Sequence, residues 1–472
     1  MSSTAASRGG AKARRGGEAA AAETARRLAA SGVEAVALAI VINSGVTLVK
    51  TIPLRRFEEA VTFGLGLSPV FTVFQVDDQI TSSPHIGGPT GDTRLVPDPA
   101  RTVGLAASPG WALAPVDQLD QEGEPYPGCP RTFARRMLER LAGHGLELRG
   151  GYEIEFFLGH RATPGPDEAD PTPAHTGPAY GAIALADVEP FATALIRAFE
   201  EQGTGVMQFH PEYSTGQLEL SVPHGVGIAT ADTHLVVRHT IRAVARNHGY
   251  VASFAPVVFA GRVGNGNHLH LSLWDRKGKN LFQGGRGPEG MTRQAEAFTA
   301  GVLAALPALT AVTAPSVPSY ERLQPHRWSG PWACWGRENR EAALRFVTGM
   351  VGSRPDAANL EVKSMDPASN PYLALGAIVA AGIDGLDREL PLPEPVVDDP
   401  ASIPARKRRS LGINRLPDSL SAAIRELEKS SMLRESMGDV LFDSFLATRR
   451  AERDVFEGQD PEDVVRAHRW RY

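Results

Sequence analysis

Gly151-Tyr-Glu-Ile-Glu-Phe-Phe-Leu158 is the stretch on which the reading of this chain turns. Its aromatic and branched residues predict a β-strand, and alternation along a strand puts Glu153 and Glu155 on one face, about 7 Å apart. Two like charges on an otherwise apolar strand repel each other and resist loss of water unless cations lie between them. A lone Glu-x-Glu is commonly the solvated face of an edge strand, so its meaning depends on what other segments bring to it.

Upstream, Phe133, Met137, Leu138 and Leu141 recur at helical spacing after Pro130 and predict an amphipathic helix leading into that strand. Earlier still, residues 33–41 and 46–52 read as paired strands across Asn43-Ser44-Gly45, and Pro53 opens a helix to about residue 63. Residues 67–128 alternate turns with short strands. Arg8, Lys12, Arg14 and Arg15 make the start a basic tail too polar to bury a core, followed by a helix over 18–30 that stops at Gly32. The expected division is a tail and leading helix over 1–30, partly disordered, a small α+β domain over 31–126, and a larger domain over 127–472. Within the latter, 161–175 is a Pro- and Asp-rich surface insertion and 188–202 a helix. Asn370-Pro371 caps a buried helix to about residue 385, 390–409 is a long loop, and Leu420, Ile424 and Leu427 mark one of two closing helices.

The 472 residues exceed one simple core, and 42% hydrophobic with 22% charged residues is ordinary for a soluble enzyme. A net charge of -5 gives no reason to expect nucleic acid. Cys129 and Cys334 are the two cysteines, so no disulfide framework is available. With no run of eighteen apolar residues, a cytoplasmic protein without a membrane partner is expected.

Three further segments give the acidic strand company. Glu212 and Glu219 bracket a turn that runs into a strand. His268 and His270 alternate in Gly264-Asn-Gly-Asn-His-Leu-His-Leu-Ser272, where glycines let the backbone approach a ligand. Glu361 lies beside Lys363 on another short strand, and Arg322, Arg337, Arg340 and Arg345 supply guanidinium forks suited to carboxylate or phosphoryl oxygens. The bland alternative for the last three is a solvated helix face paired with Glu338 and Glu341. Taken together, carboxylates and a histidine on strands facing arginines describe a site for divalent cations, Mg²⁺ or Mn²⁺, and a multiply charged phosphate.

In order and spacing, residues 151–158, 212–219, 264–273, 319–345 and 360–375 resemble the glutamine synthetase family, over about residues 33–450. That resemblance implies an α+β fold: a β-grasp-like N-terminal domain, a catalytic domain on a curved antiparallel sheet, and a homododecamer of two stacked hexameric rings with sites between subunits. It implies ATP as co-substrate and glutamate as the acid. By position, Glu155, Glu212 and Glu219 would hold one metal ion and Glu153, His268 and Glu361 a second. His270 and Ser272 fall at ATP-contacting positions, Gly264 and Arg322 at glutamate-contacting ones, and Arg340 and Arg345 at those for the transferred phosphoryl group.

The departures concern the nucleophile. Asp78-Gln79-Ile80-Thr81 stands where ammonium-using members carry Asp-Gly-Ser-Ser, and Trp328 where they have a flap glutamate. An indole in place of an anion removes one wall of an ammonium cage and offers an apolar, cation-attracting surface. Tyr180 and Glu212 are retained, leaving Glu212 and Asp78 to orient the amine and take its proton. Val263 and Lys363 replace an asparagine and an arginine that contact glutamate, and the loop over 390–412 lacks the regulatory tyrosine of some relatives. The expectation is an ATP-dependent ligase joining glutamate to a small primary amine such as a polyamine or ethanolamine. Glutamine synthesis from ammonium and a non-catalytic regulatory paralogue are the alternatives.

Overall fold

The computed structural model describes residues 3–160 and 170–472, with side chains from Gly17 onward. The basic tail, apart from the backbone of helix Ser3–Ala30, and positions 161–169 of the predicted insertion lie outside the described residues.

The N-terminal sheet contains β1 (Ala35–Val41), β2 (Thr47–Pro53), β3 (Leu65–Leu67), β4 (Thr93–Pro97), β5 (Val103–Gly104) and β6 (Trp111–Leu119), in the order β2-β1-β6-β4-β3 with β5 on β6. β1 reads as an unbroken apolar run because both its faces are covered. Val36, Leu38 and Ile40 pack with Ala21, Leu28 and Phe57 under the helices Ser3–Ala30 and Phe57–Phe63, while Ala37, Ala39 and Val41 join the main core. The β1–β2 turn needs Gly45: its φ is 82°, and a Cβ there would lie 1.9 Å from the carbonyl oxygen of Ala368. A buried cation ties this unit to the rest. Arg131 donates to Asp98 (2.7 Å), Asp117 (2.8 Å) and Asp232 (2.9 Å), which lie just after β4, on β6 and on the helix Ala229–Asn247.

The second sheet is built on β7 (Leu146–His160). It adds β8 (Gln208–Pro211), β9 (Gln217–Ser221), β10 (Gly225–Val226), β11 (Tyr250–Ser253), β12 (Asn267–Asp275), β13 (Trp332–Arg337), β14 (Ala342–Val347), β15 (Asn359–Val362) and β16 (Asn414–Arg415). The order is β16-β13-β14-β15-β12-β7-β9-β8, with β10 and β11 also on β7, and every pairing is antiparallel except β13 with β14. Along β7 the even positions Leu146, Leu148, Tyr152, Ile154, Phe156 and Leu158 are buried in the main core. Behind the sheet, helix Pro371–Asp387 starts where predicted, with the Asn370 side chain accepting from the backbone N–H groups of Tyr372 and Leu373. It crosses the helix Arg293–Thr313 closely, since a Cβ on Gly301 would lie 2.2 Å from the Ala381 carbonyl oxygen. Arg293–Thr313 is long and apolar enough to cross a membrane, but 72% of its apolar window is buried inside the fold.

Several expectations are corrected. The helix expected over 188–202 starts earlier, as Ala182–Glu201, because Pro190 is accommodated inside it. The end of the 390–409 loop is the helix Ala405–Ser410, which Pro404 opens. His175, expected on an exposed insertion, is buried with Nε2 3.1 Å from the Gln217 carbonyl oxygen. The 337–345 segment is two strands and a turn, so its acids and arginines do not share a helix face.

Candidate functional site

Strand register assembles the site. The odd positions of β7 up to Glu155 turn away from the core, and residues directly opposite on neighbouring strands share a face. Glu153 stands opposite His268 on β12, and Glu155 opposite Glu219 on β9, which in turn faces His210 on β8. Glu361 on β15 faces His270 on one side and Arg345 on β14 on the other. Glu212 follows β8 directly, and its backbone N–H donates to the Gln217 carbonyl at 2.9 Å. All six proposed metal ligands therefore lie on one concave face.

The contacts fall into two groups. In the first, His268 Nδ1 lies 3.0 Å from Glu153 and 3.2 Å from Glu361, while Lys363 Nζ and Arg345 reach Glu361, each at 3.0 Å. Arg322 donates to His268 Nε2 at 3.0 Å, which places the imidazole proton on Nδ1. In the second group, His210 Nε2 lies 3.1 Å from Glu219, and Gln217 donates to Glu155 at 2.8 Å. Tyr180 donates its hydroxyl to Glu212 at 2.8 Å, and the Tyr213 N–H reaches the same oxygen at 3.0 Å. Gly266 passes between the groups: a Cβ there would come within 2.5 Å of His268 Nε2 and 2.6 Å of a Glu155 oxygen.

Electrostatics differ between the groups. Burial acts to raise the Glu153 pKa, but the hydrogen bond with His268 and the nearby His270 imidazole outweigh it and hold the carboxyl well below the usual range. Glu361 is likewise held low, Lys363 opposing its burial. Around Glu212 the balance reverses: burial, then the neighbouring Glu155 and Glu219, push it up to about 8. Its hydrogen bond to Glu219 raises His210 to about 9 against the effect of burial.

These donors fit divalent cations. Oxygen and nitrogen atoms of Glu153, His270 and Glu361, and of His210, Glu212 and Glu219, all come within 4.8 Å of one another in each set. The buried His270 Nε2 has no hydrogen-bond partner and faces a Glu153 oxygen at 3.5 Å. Three crowded carboxylates, among which Glu212 is pushed up to about 8, are short of positive charge, and hard cations with oxygen-rich shells supply it.

Two cavities open from this face. One, about 440 Å³, is lined by Glu155, Glu212, Gly264, Arg322, Arg340 and Lys363, with Tyr180 and Trp328 at its wall. The other, about 590 Å³, contains His270, Ser272 and Asn359. Glu153 lines both. Beside Ser272, the Arg149 guanidinium lies 3.9 Å from the centroid of the Trp274 ring, and Trp274 Nε1 donates to the Ser272 hydroxyl at 2.8 Å. The two chambers together suit a nucleotide on one side and small acid and amine molecules on the other.

Two residues singled out earlier are not brought here. Asp78 is absent from the cavities of its own chain and pairs with Arg471 at 2.6 Å. Arg337 points elsewhere, 3.4 Å from Glu289. Conversely, His210 and Gln217 were missed, although each lies two positions from a named glutamate and the alternation used for Glu153 and Glu155 reaches both. Glu338, which pairs with Arg345 at 2.7 Å, had been placed only in a solvated pairing.

Comparisons with known proteins agree with this architecture. Residues 127–466 match the model of the glutamine synthetase catalytic domain and residues 21–130 that of the glutamine synthetase N-terminal domain. The gamma-glutamylpolyamine synthetase GlnA3 of Streptomyces coelicolor is 46% identical over 446 residues, covering 94% of this chain and 95% of that protein. The glutamine synthetase of Thermotoga maritima is 34% identical over 340 residues, covering 72% and 75% respectively. Among solved structures, a novel glutamine synthase homolog superposes with a TM-score of 0.80 at 34% identity over 92% of this chain and 97% of that one. A GmaS/ADP complex gives a TM-score of 0.80 at 29% identity, covering 92% and 96%.

Proposed function

The chain belongs to the glutamine synthetase family, and from that premise we propose that it is an ATP-dependent ligase joining the γ-carboxylate of glutamate to a small primary amine. The observation that carries the choice of amine is Trp328: an indole, 55% exposed, lines the cavity that also holds Glu212 and Tyr180.

Glu155, Glu212 and Glu219 would hold one divalent cation, and Glu153, His268 and Glu361 another, Mg²⁺ being the hard-ligand choice; the donor atoms that already cluster have His210 in place of Glu155 and His270 in place of His268. Bound cations there supply the positive charge that makes phosphoryl oxygens and a carboxylate approachable. The chain's own groups do the rest. Arg322, Lys363 and the Gly264 backbone would hold glutamate, while Arg340, in the same cavity, and Arg345, paired with Glu361 at 3.0 Å, would draw charge onto the transferred phosphoryl group. His270 and Ser272 face the nucleotide chamber. The γ-carboxylate oxygen attacks the terminal phosphorus of ATP, ADP leaves, and the amine nitrogen then displaces phosphate from the acyl carbon. An alkylammonium has a pKa near ~10, so it must lose a proton first. Glu212, hydrogen-bonded by Tyr180 and the Tyr213 N–H, is placed to take it. Asp78, turned away from its own chain's cavity, would serve a neighbouring subunit in a homododecamer of two stacked hexameric rings. A cytoplasmic setting, where ATP and glutamate are available, suits this chemistry. The same reading takes residues 31–126 as the N-terminal domain and 127–472 as the catalytic domain.

Phosphate release tests the assignment, with ATP, Mg²⁺ and glutamate held constant and ammonium, ethanolamine, putrescine and spermidine compared. Organic amines should support turnover with kcat/KM above that for ammonium, and Trp328→Glu should shift the ratio toward ammonium. Turnover with ammonium alone would assign ordinary glutamine synthesis instead.

A further inference from the structure

Trp328 sits in a loop whose backbone is held in an unusual way. His326 and Trp328 both have positive φ, 61° and 51°, a region that bulky side chains enter only when their surroundings impose it. What imposes it is Glu341. This carboxylate is 6% exposed, and its two oxygens accept separately, one from the His326 N–H at 3.2 Å and the other from the Trp328 N–H at 2.8 Å. Its own position is fixed at the start of β14, where its backbone N–H donates to the Asn339 side chain at 3.1 Å and Asn339 donates in turn to the carbonyls of Val396 and Asp398. Between the two anchored residues, Arg327 lines the same cavity and donates to the Arg262 carbonyl at 2.9 Å. The neighbouring Arg340 caps the indole, its guanidinium 5.7 Å from the ring centroid. The turn before β14 therefore holds the loop by one residue and covers its aromatic side chain by the next.

We propose that Glu341 is a specificity-determining positioning residue: by fastening the backbone at His326 and Trp328 it presents the indole as a fixed wall for the alkyl chain of the amine. This rests on the amine-ligase reading. Glu341 touches neither cavity, so its effect on the amine must pass through Trp328. A wall held before substrate arrives avoids the ordering cost that a mobile loop incurs on binding.

The test is a double-mutant cycle on the full-length enzyme with ATP, Mg²⁺, glutamate and putrescine, steady-state phosphate release being the readout. Glu341→Ala should raise KM for putrescine at least about five-fold while leaving KM for glutamate and ATP within about two-fold. In a Trp328→Ala background the same change should have less than about a two-fold effect on putrescine KM. An unchanged putrescine KM, equal shifts for all three substrates, or the same effect in both backgrounds would each overturn the proposal. Should Glu341→Ala fail to fold, Glu341→Gln carries the cycle, since an amide accepts one of the two N–H groups and confronts the other with its own. Acrylamide quenching of Trp328, isolated by difference from Trp328→Phe, reads the loop without any amine: it should rise in the Glu341 variants. Unchanged quenching counts against Glu341 whatever the substrate, whereas a wild-type enzyme inert to every organic amine overturns the ligase reading alone.

Discussion

Glu212 shows how neighbours set the chemistry of one side chain. Burial and two adjacent carboxylates bring its pKa to about 8, so at neutral pH it holds a proton that an incoming cation must expel. Calorimetric titration of Mg²⁺ into the enzyme at pH 7, repeated in buffers of different ionisation enthalpy, should therefore report proton release. That release should fade above about pH 9, where the carboxyl is already ionised, and Glu212→Gln should reduce it. Once the cation has expelled that proton, Glu212 would be ionised and able to take one from the amine under the proposed reaction, and we expect Glu212→Gln to lower kcat by at least about 100-fold. Gly266 makes a complementary prediction. Because a methyl group there would overlap His268 and Glu155, Gly266→Ala should weaken Mg²⁺ binding about ten-fold or more while the thermal unfolding midpoint moves by only a few degrees.

Among the elements, the helix Pro371–Asp387 illustrates what local rules settle. Asn370 accepts from two N–H groups of its first turn and donates to the carbonyls of Val41 and Ile42 in the N-terminal sheet. Asn370→Ala should cost about 1–2 kcal/mol as a lost cap, and more if the orphaned carbonyls find no water, measured by urea unfolding. That helix, β1, β7 and β12 were legible because each carries a period or cap that needs no partner to be recognised. The convergence of Glu153, His268 and Glu361 followed from the family resemblance, and register supplies its physical cause. His210 and Gln217 were equally readable in principle, by the alternation already applied to Glu155. What local pattern could not supply was non-local: the pairing of β13 with β14 makes residues 337–345 a strand turn, not the helix face weighed as an alternative, and that turn brings Glu341 to the Trp328 loop. Asp78 lies outside the two cavities, paired with Arg471; under the proposed ring assembly it would face a neighbouring subunit.

At the scale of the whole molecule, the two sheets are joined by buried polar groups as well as apolar packing. Arg449 donates to the carbonyls of Pro315 and Asn43, and Glu452 accepts from the Val76 N–H. His468, in the C-terminal helix Pro461–His468, is buried beside them and pushed down to about 4, so it is neutral in the fold while the unfolded chain titrates near 6.5. Its contribution is complete above pH 6.5 and is lost as pH falls toward 4, amounting to about 3 kcal/mol. Glu452, raised to about 7 by burial, works in the opposite direction, losing stability as pH rises from 4.5 to 7. Comparing urea stability of wild type and His468→Gln between pH 7 and pH 4.5 isolates the histidine: the wild type should lose more than the variant, and parallel curves would remove His468 from the balance. As a catalyst the molecule would activate glutamate with its arginines, bound cations supplying further positive charge, and Trp328 would turn the nucleophile site toward organic amines. The most direct measurement is mass-spectrometric analysis of product from ATP, Mg²⁺ and glutamate with equal low concentrations of ammonium and putrescine. Predominance of the γ-glutamyl-putrescine adduct is predicted; glutamine as the predominant product would contradict the claim.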